Sequence, residues 1–435
     1  MTTLIDIAPG AAPDHLQGEI DRLSATGGGR IRLLPGDHIC GALQLRSDID
    51  LHLEEGAVLA PLPDHALYEA NVSAIRVEGS DRCMIFGQNL ENVAITGRGT
   101  IDGGGRHFVA GDDTEAGVYI PLEPRLRTVV LEECRNVRIE QLTLRESSSW
   151  TLHLIHCTDV LVDGYKVLND MRMPNTDGLV LDGCVGVSVR NAVIRTADDG
   201  VVLKTCQSLP QWHCTDISIT DCIIESGSCA IKIGTETFGN VERVSVDNCT
   251  LEGCNRGLGI LSRDGGEICD ISYRNIELDC HETPFGFWGS GEALTITQLN
   301  RRSGTPAGRV RRILVENLTG VQEGAINFYA AVPGDIADVT MKAVNLTQRP
   351  GALGTGRQQD IRPTEADLTP SKDAAGRVGA WVRDADGRII GLNDYPGGMP
   401  GLFSHNVANL SLSDLEIRRP SPLPDGWNPQ TVVIE

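Results

Sequence analysis

The chain has 435 residues, with 59 Asp and Glu against 38 Lys and Arg, a formal charge of −21. Proteins that grip phosphate backbones concentrate cations to displace counterions, so nucleic-acid binding is excluded. A content of 40% apolar and 22% charged residues excludes a disordered chain and leaves room for one large domain or two to three ordinary ones.

Aromatic residues make up only 4% while Gly numbers 49, a balance suited to many short strands joined by tight turns. The first residues carry no basic stretch followed by an apolar one, and no run approaches the roughly eighteen apolar residues of a membrane span. A soluble cytoplasmic protein without membrane association is therefore expected. Thirteen cysteines cannot all pair internally, and none shows a metal-ligand spacing with a partner pair. They read as small buried hydrophobes, and no metal or cofactor is expected.

In chain order, Leu16, Ile20 and Leu23 follow Pro13-Asp14 at helical spacing, which predicts a short amphipathic helix capping an open core within residues 1–30. Gly27-Gly28-Gly29 then leads into the strand Ile31–Leu34. A phosphate loop would need a helix directly after its glycines, so this run is not one.

A phrase then recurs: Cys134-Arg-Asn-Val137-Arg-Ile139, Cys157-Thr-Asp-Val160-Leu-Val162, Cys184-Val-Gly-Val187-Ser-Val189 and Cys214-Thr-Asp-Ile217-Ser-Ile219. It continues from Val241, Ile268, Val310 and Ile336, at steps of 23, 27, 30, 27, 27, 42 and 26 residues, and resumes at Val407. Alternation of apolar and polar residues marks a strand with one buried face. Two further short strands fit into each step. Three strands per coil over most of the chain predict an all-β, right-handed parallel β-helix, with loops inserted at the coil corners. A β-propeller, with repeats of about 40–45 residues, fits these steps poorly. The polar stretch 351–376 has no periodicity and is expected to be a long loop or excursion; residues 1–435 are read as one domain.

Two acidic motifs open successive coils, Asn175-Thr-Asp177-Gly178 and Ala197-Asp198-Asp199-Gly200. Asp-Gly pairs alone only turn the chain. Two such motifs one coil apart gather three carboxyl groups, whose repulsion can leave one acid protonated beside an ionised base. Glycosidic-bond hydrolysis needs that division. A calcium site is the other use of clustered carboxylates, disfavoured because the next coil, at Ser228-Cys229-Ala230, has no acid.

The chain resembles glycoside hydrolase family 28, the polygalacturonase-like β-helix glycosidases. The resemblance rests on Gly27-Gly28-Gly29, Leu34-Pro35-Gly36, Gly97-Arg-Gly99-Thr-Ile-Asp102-Gly103, Trp150-Thr-Leu-His153, Asn175-Thr-Asp177-Gly178 and Asp198-Asp199 with Lys204, in that order. It implies an inverting hydrolase in which Asp198 is the general acid while Asp177 and Asp199 hold and activate water. Inversion implies about 6.5–9.5 Å between acid and base carboxyls.

Two motifs of the family are altered. Cys229 stands where a G-H-G motif has its histidine, and Gly257-Leu258-Gly259-Ile260-Leu261-Ser262 replaces the R-I-K run whose cations grip galacturonate. An uncharged pocket cannot form a bidentate pair with a uronate, so the expected substrate is an oligosaccharide other than polygalacturonic acid.

Replacement cations are Lys204, Lys232, Arg256 and Arg263, each of which could also be an ordinary ion-paired side chain. Lys232, alternating with Ile231 and Ile233, should face away from the core, and the family's register implies the same side as Lys204. Asn175, Cys229, Glu236, Glu292 and His153 complete the polar candidates for substrate binding, although a buried, hydrogen-bonded role is the simpler one for His153, His156 and His213. Trp288, in a Gly-flanked loop, is the candidate cleft wall; Trp212 and Trp150 are further platforms, Trp150 with core packing on Leu152 and Leu154 as its strong alternative. The alternatives are a β-helix polysaccharide lyase using Lys204 or Lys232 as base on a uronate, and a non-catalytic carbohydrate-binding β-helix. Homo-oligomerisation is left open.

Overall fold

A computed structural model describes residues 3–114, 117–206, 212–283, 289–300, 304–361 and 391–435. The chain divides into two compact units, Met1–Asp198 and Asp199–Glu435.

The first unit opens with the strand Thr3–Ile7 and the helix His15–Ala25, which buries Leu16, Ile20 and Leu23 as the spacing predicts. Gln17 and Gln44 exchange side-chain and backbone hydrogen bonds that stitch the helix to the coil beneath it. Three parallel stacks then build the coils. In one, Leu51, Ile95, Ile139, Val162 and Val189 are register partners and all are buried. In the next, Leu59, Ile101, Leu144, Val167 and Ile194 align. The third aligns Ile85, Val129, Leu152 and Leu179. Each row is a column of branched side chains about 4.8 Å apart, packing without large aromatics. Three strands per coil are therefore present in this unit.

In the second unit the recurring phrase aligns Ile217, Val244, Ile271, Ile313, Val339 and Leu410 as consecutive neighbours. From Val241–Cys254 onward, two strands of each coil run together into a single long one. The other face stacks Val201–Thr205, Cys229–Thr237, Arg256–Ser262, Glu292–Gln298, Ile326–Ala330, Leu402–His405 and Val432–Ile434 in parallel. Its inward row is Leu203, Ile233, Ile260, Ile296 and Phe328.

One detail of the phrase is conformational. Its third residue has a positive φ throughout, from Asn136 (52°) and Asp159 (56°) through Asp216 (59°) and Arg243 (55°) to Asn409 (54°). The register skips this residue, so each coil carries the same left-handed kink, which Asn, Asp and Gly adopt most readily. These kinks bond to one another: Asn92 donates to Asp48 and Asn136 to Asn92, both at 2.7 Å.

Twelve of the thirteen cysteines are buried and Cys206 is half-buried. Their thiols donate to backbone carbonyls, as Cys157 does to Leu131 and Cys184 to Leu154, both at 3.3 Å. Of the polar stretch 351–376, residues 351–361 are described; they hold a short turn, Thr355–Arg357, and the strand Gln358–Asp360, which pairs antiparallel with Leu392–Asp394. The rest of that stretch lies outside the described residues.

Candidate active site

In the first unit, the Asn175–Asp177 motif sits in the turn before the strand Leu179–Asp182. Buried Asn169 fastens that turn: its Nδ2 donates to Thr151 Oγ1 (2.8 Å), Thr176 O (3.1 Å) and Thr196 Oγ1 (3.2 Å), while Oδ1 accepts from Ser147 N (3.0 Å). Thr151 N donates to the Asp177 carbonyl at 2.9 Å. Asp177 is buried and Asp198 half-buried.

His153 lies in the interior, the simpler of its two sequence readings. It has no exposed surface, accepts from Arg127 Nη1 on Nδ1 at 2.9 Å, and brings Nε2 to 3.5 Å from Asp182 Oδ2. Burial lowers the Arg127 pKa, although neighbouring Cys83, Glu132, Asp81 and Asp182 oppose the shift. Trp150 is buried too, edge-on to His153 with ring centres 4.9 Å apart.

In the second unit, Asp199 follows Asp198 directly and is almost fully buried. Its Oδ2 lies 2.7 Å from Lys232 Nζ, and Oδ1 accepts from the backbone N–H of Cys229 at 3.3 Å. Val202 is the register partner of Lys232, and Lys204 lies two residues beyond Val202, so both lysines fall on the outward side of their strands. Lys204 pairs with Glu236 at 3.3 Å. The Cys229 side chain donates to Ile231 O at 3.3 Å, and burial pushes its thiol well up, so it is an inert packing group.

Arg256 is buried with Glu292 and Asp360, its Nη2 3.3 Å from a carboxylate oxygen of each. Burial opposes its charge, but the two carboxylates outweigh it and raise the arginine pKa. Glu292 also accepts from Ser290 N (2.6 Å) and Asp360 from Gly289 N (2.8 Å), so the cluster ties a loop and the excursion strand to the coil. Arg263 is buried, donating to the carbonyls of Ser262 and Thr297 at 2.8 and 2.9 Å and to Thr297 Oγ1 at 2.8 Å. Trp288 lies outside the described residues; Trp212 is half-buried. His213 accepts from Asn240 N at 2.9 Å.

Sequence reasoning passed over Asp360, Asn169 and Arg125. Asp360 lies 104 residues from Arg256, in a stretch without periodicity. Asn169 and Arg125 carried no motif.

Three parallel stacks of short strands wound into successive coils define the parallel β-helix class. Within it, the chain belongs to the glycosyl hydrolases family 28, whose model matches residues 65–358. A probable polygalacturonase of Vitis vinifera is 26% identical over 295 residues, covering 63% of this chain and 57% of that protein. The chain spans about half the length of the curated relatives it matches. Among solved structures, an exopolygalacturonase from Thermotoga maritima superimposes with a TM-score of 0.64 at 20% identity, covering 80% of this chain and 88% of that one. A family 28 exopolygalacturonase from Yersinia enterocolitica gives 0.67 at 15% identity, covering 100% and 78%. These likenesses carry the fold, a right-handed parallel β-helix.

Proposed function

We propose that the chain is an inverting glycoside hydrolase acting on an oligosaccharide, with Asp198 as general acid and Asp177 and Asp199 as the carboxylates that hold and activate water. The observation that carries this reading is the contrast between consecutive aspartates. Asp199 is buried and paired with Lys232, an environment that keeps a negative charge in place, whereas Asp198 is half-buried beside it in the chain. Adjacent carboxyls in unlike surroundings suit opposite halves of acid–base catalysis.

The substrate proposal follows from the cations. Lys204, Lys232 and Arg256 each face a carboxylate of the chain itself, and Arg263 is buried on backbone carbonyls. A uronate would have to compete with those partners, which favours a sugar without a carboxylate at the reacting unit. Galacturonides are the second reading, favoured by relatives named polygalacturonase.

The deciding experiment screens neutral and galacturonic oligosaccharides, with proton NMR following the first anomer released. Inversion is expected, and a first product of retained configuration would rule the mechanism out. Asp198→Asn should slow hydrolysis about a thousand-fold while leaving binding intact; full turnover by that variant would remove Asp198 from its role.

A further inference from the structure

Arg125 is among the largest fully buried side chains, yet it belongs to no acidic motif and to no strand. Its donors converge on one place. Nε donates to Glu123 Oε1 (2.8 Å), Nη1 to the carbonyls of Ser148 (3.0 Å) and Pro174 (2.7 Å), and Nη2 to Asn175 Oδ1 (3.0 Å). Burying a guanidinium is costly, and its only described carboxylate partner, Glu123, is itself 44% exposed. Pro174 and Asn175 lead through Thr176 into Asp177. Asn175 holds φ at 60°, in the left-handed region that asparagine tolerates better than most residues.

Arginine only donates, so the amide oxygen of Asn175 must face it and the amide NH2 must face away. Asn175 is half-buried. The remainder of the turn is fastened elsewhere, by Thr176 Oγ1 on Met173 O (3.1 Å) and Asn169 Nδ2 on Thr176 O (3.1 Å). The Pro174–Asn175 elbow itself is held by Arg125.

We propose that Arg125 is a positioning residue for the active site: it locks the Pro174–Asn175 elbow, aims the Asn175 amide at an oxygen of the bound sugar, and thereby sets the backbone that carries Asp177. The inference rests on the reading of Asp177 as a catalytic carboxylate. Arg125 touches no substrate and acts through Asn175.

Arg125→Lys keeps the charge but cannot span these acceptors with a planar fork. On a substrate the native protein hydrolyses, kcat/KM should fall about ten- to a hundred-fold. Asn175→Ala should lower it similarly, and the double variant should lose much less than the product of the two effects, because the Arg125 Nη2–Asn175 Oδ1 contact is shared by both. Independent, multiplying effects, or a folded Arg125→Lys protein within about two-fold of native kcat/KM, would overturn the proposal.

Hydrogen exchange supplies a readout that needs no turnover. The amides of Met173, Asn175, Thr176 and Asp177 should exchange faster in Arg125→Lys while the strands Leu152–Ile155 and Leu179–Asp182 are unchanged; unaltered exchange at those four amides overturns the clamp. A native protein that hydrolyses nothing would defeat the functional reading, and the exchange arm would still decide on the clamp. If Arg125→Lys does not fold, Asn175→Asp retains an acceptor for Arg125 but loses the amide donors. Protection of those four amides should then persist while kcat/KM falls as in Asn175→Ala; full activity would overturn the proposal.

Discussion

Lys232 Nζ lies 2.7 Å from Asp199 Oδ2, and the strand that carries this lysine also presents the Cys229 N–H to the other carboxylate oxygen. One strand thus holds both oxygens of a buried aspartate. Lys232→Met removes the cation from Oδ2 while the Cys229 N–H remains on Oδ1. We expect a loss of about 3 kcal/mol in unfolding free energy, measured in urea, and at least a ten-fold fall in kcat. A variant with native stability and rate would show that the pair contributes nothing.

Gly259 is the register partner of Lys232 and has no room for a side chain: an added Cβ would lie 2.9 Å from Cys229 Sγ and 3.5 Å from Arg256 Cδ. Gly259→Ala is expected to destabilise by about 1–3 kcal/mol through overpacking. Because the closest atom is a thiol, Cys229→Ala in the same chain should recover most of that loss. Strictly additive costs in thermal unfolding would contradict the contact.

The burial of twelve cysteines gives a simple count. A thiol reagent added to native protein should titrate about one group, at Cys206, and all thirteen after denaturation. Rapid labelling of several native thiols would contradict the packed columns.

Burial lowers the pKa of His156 below its ordinary value of 6.5, against the opposing pull of Asp182, Glu133 and Glu132. His52 and His65 shift the same way, with burial again the leading cause. Above about pH 6.5 these rings are neutral whether the chain is folded or not. Below it the unfolded chain binds protons that the folded one refuses, so stability should fall as pH drops through and beneath 6.5 until the folded values are passed. Melting temperature measured from pH 7.5 down to 5 should decline, and His156→Asn, which tolerates the local φ of 52°, should flatten the decline. A melting temperature that rises on acidification over that range would contradict it.

The architecture was legible because Val137, Val160 and their successors repeat a period-2 pattern at coil-length steps, and a column of branched residues has no other economical arrangement. The helix over Leu16, Ile20 and Leu23 was legible for the same reason of period. What escaped was whatever depends on loops meeting strands. Asp360 reaches Arg256 across 104 residues, a separation that local pattern does not encode. Arg125 escaped because a buried cation and an exposed one look alike in a sequence. The left-handed kink was written in the Asn and Asp at the third place of most phrases, but alternation of apolar residues drew attention to their neighbours. The strands that run together in the second unit escaped as well, since the corner between them is a bend within a continuous ladder.

That kink bears on how such a chain can change over generations. Each coil turns at a residue of the same conformation, and several of these residues bond to a counterpart in a neighbouring coil, so the turn is set locally and repeated. An insertion between kinks, such as the 42-residue step from Ile268 to Val310, leaves the registers on both sides intact. The scaffold can therefore acquire new loops at its coil corners without renegotiating its core.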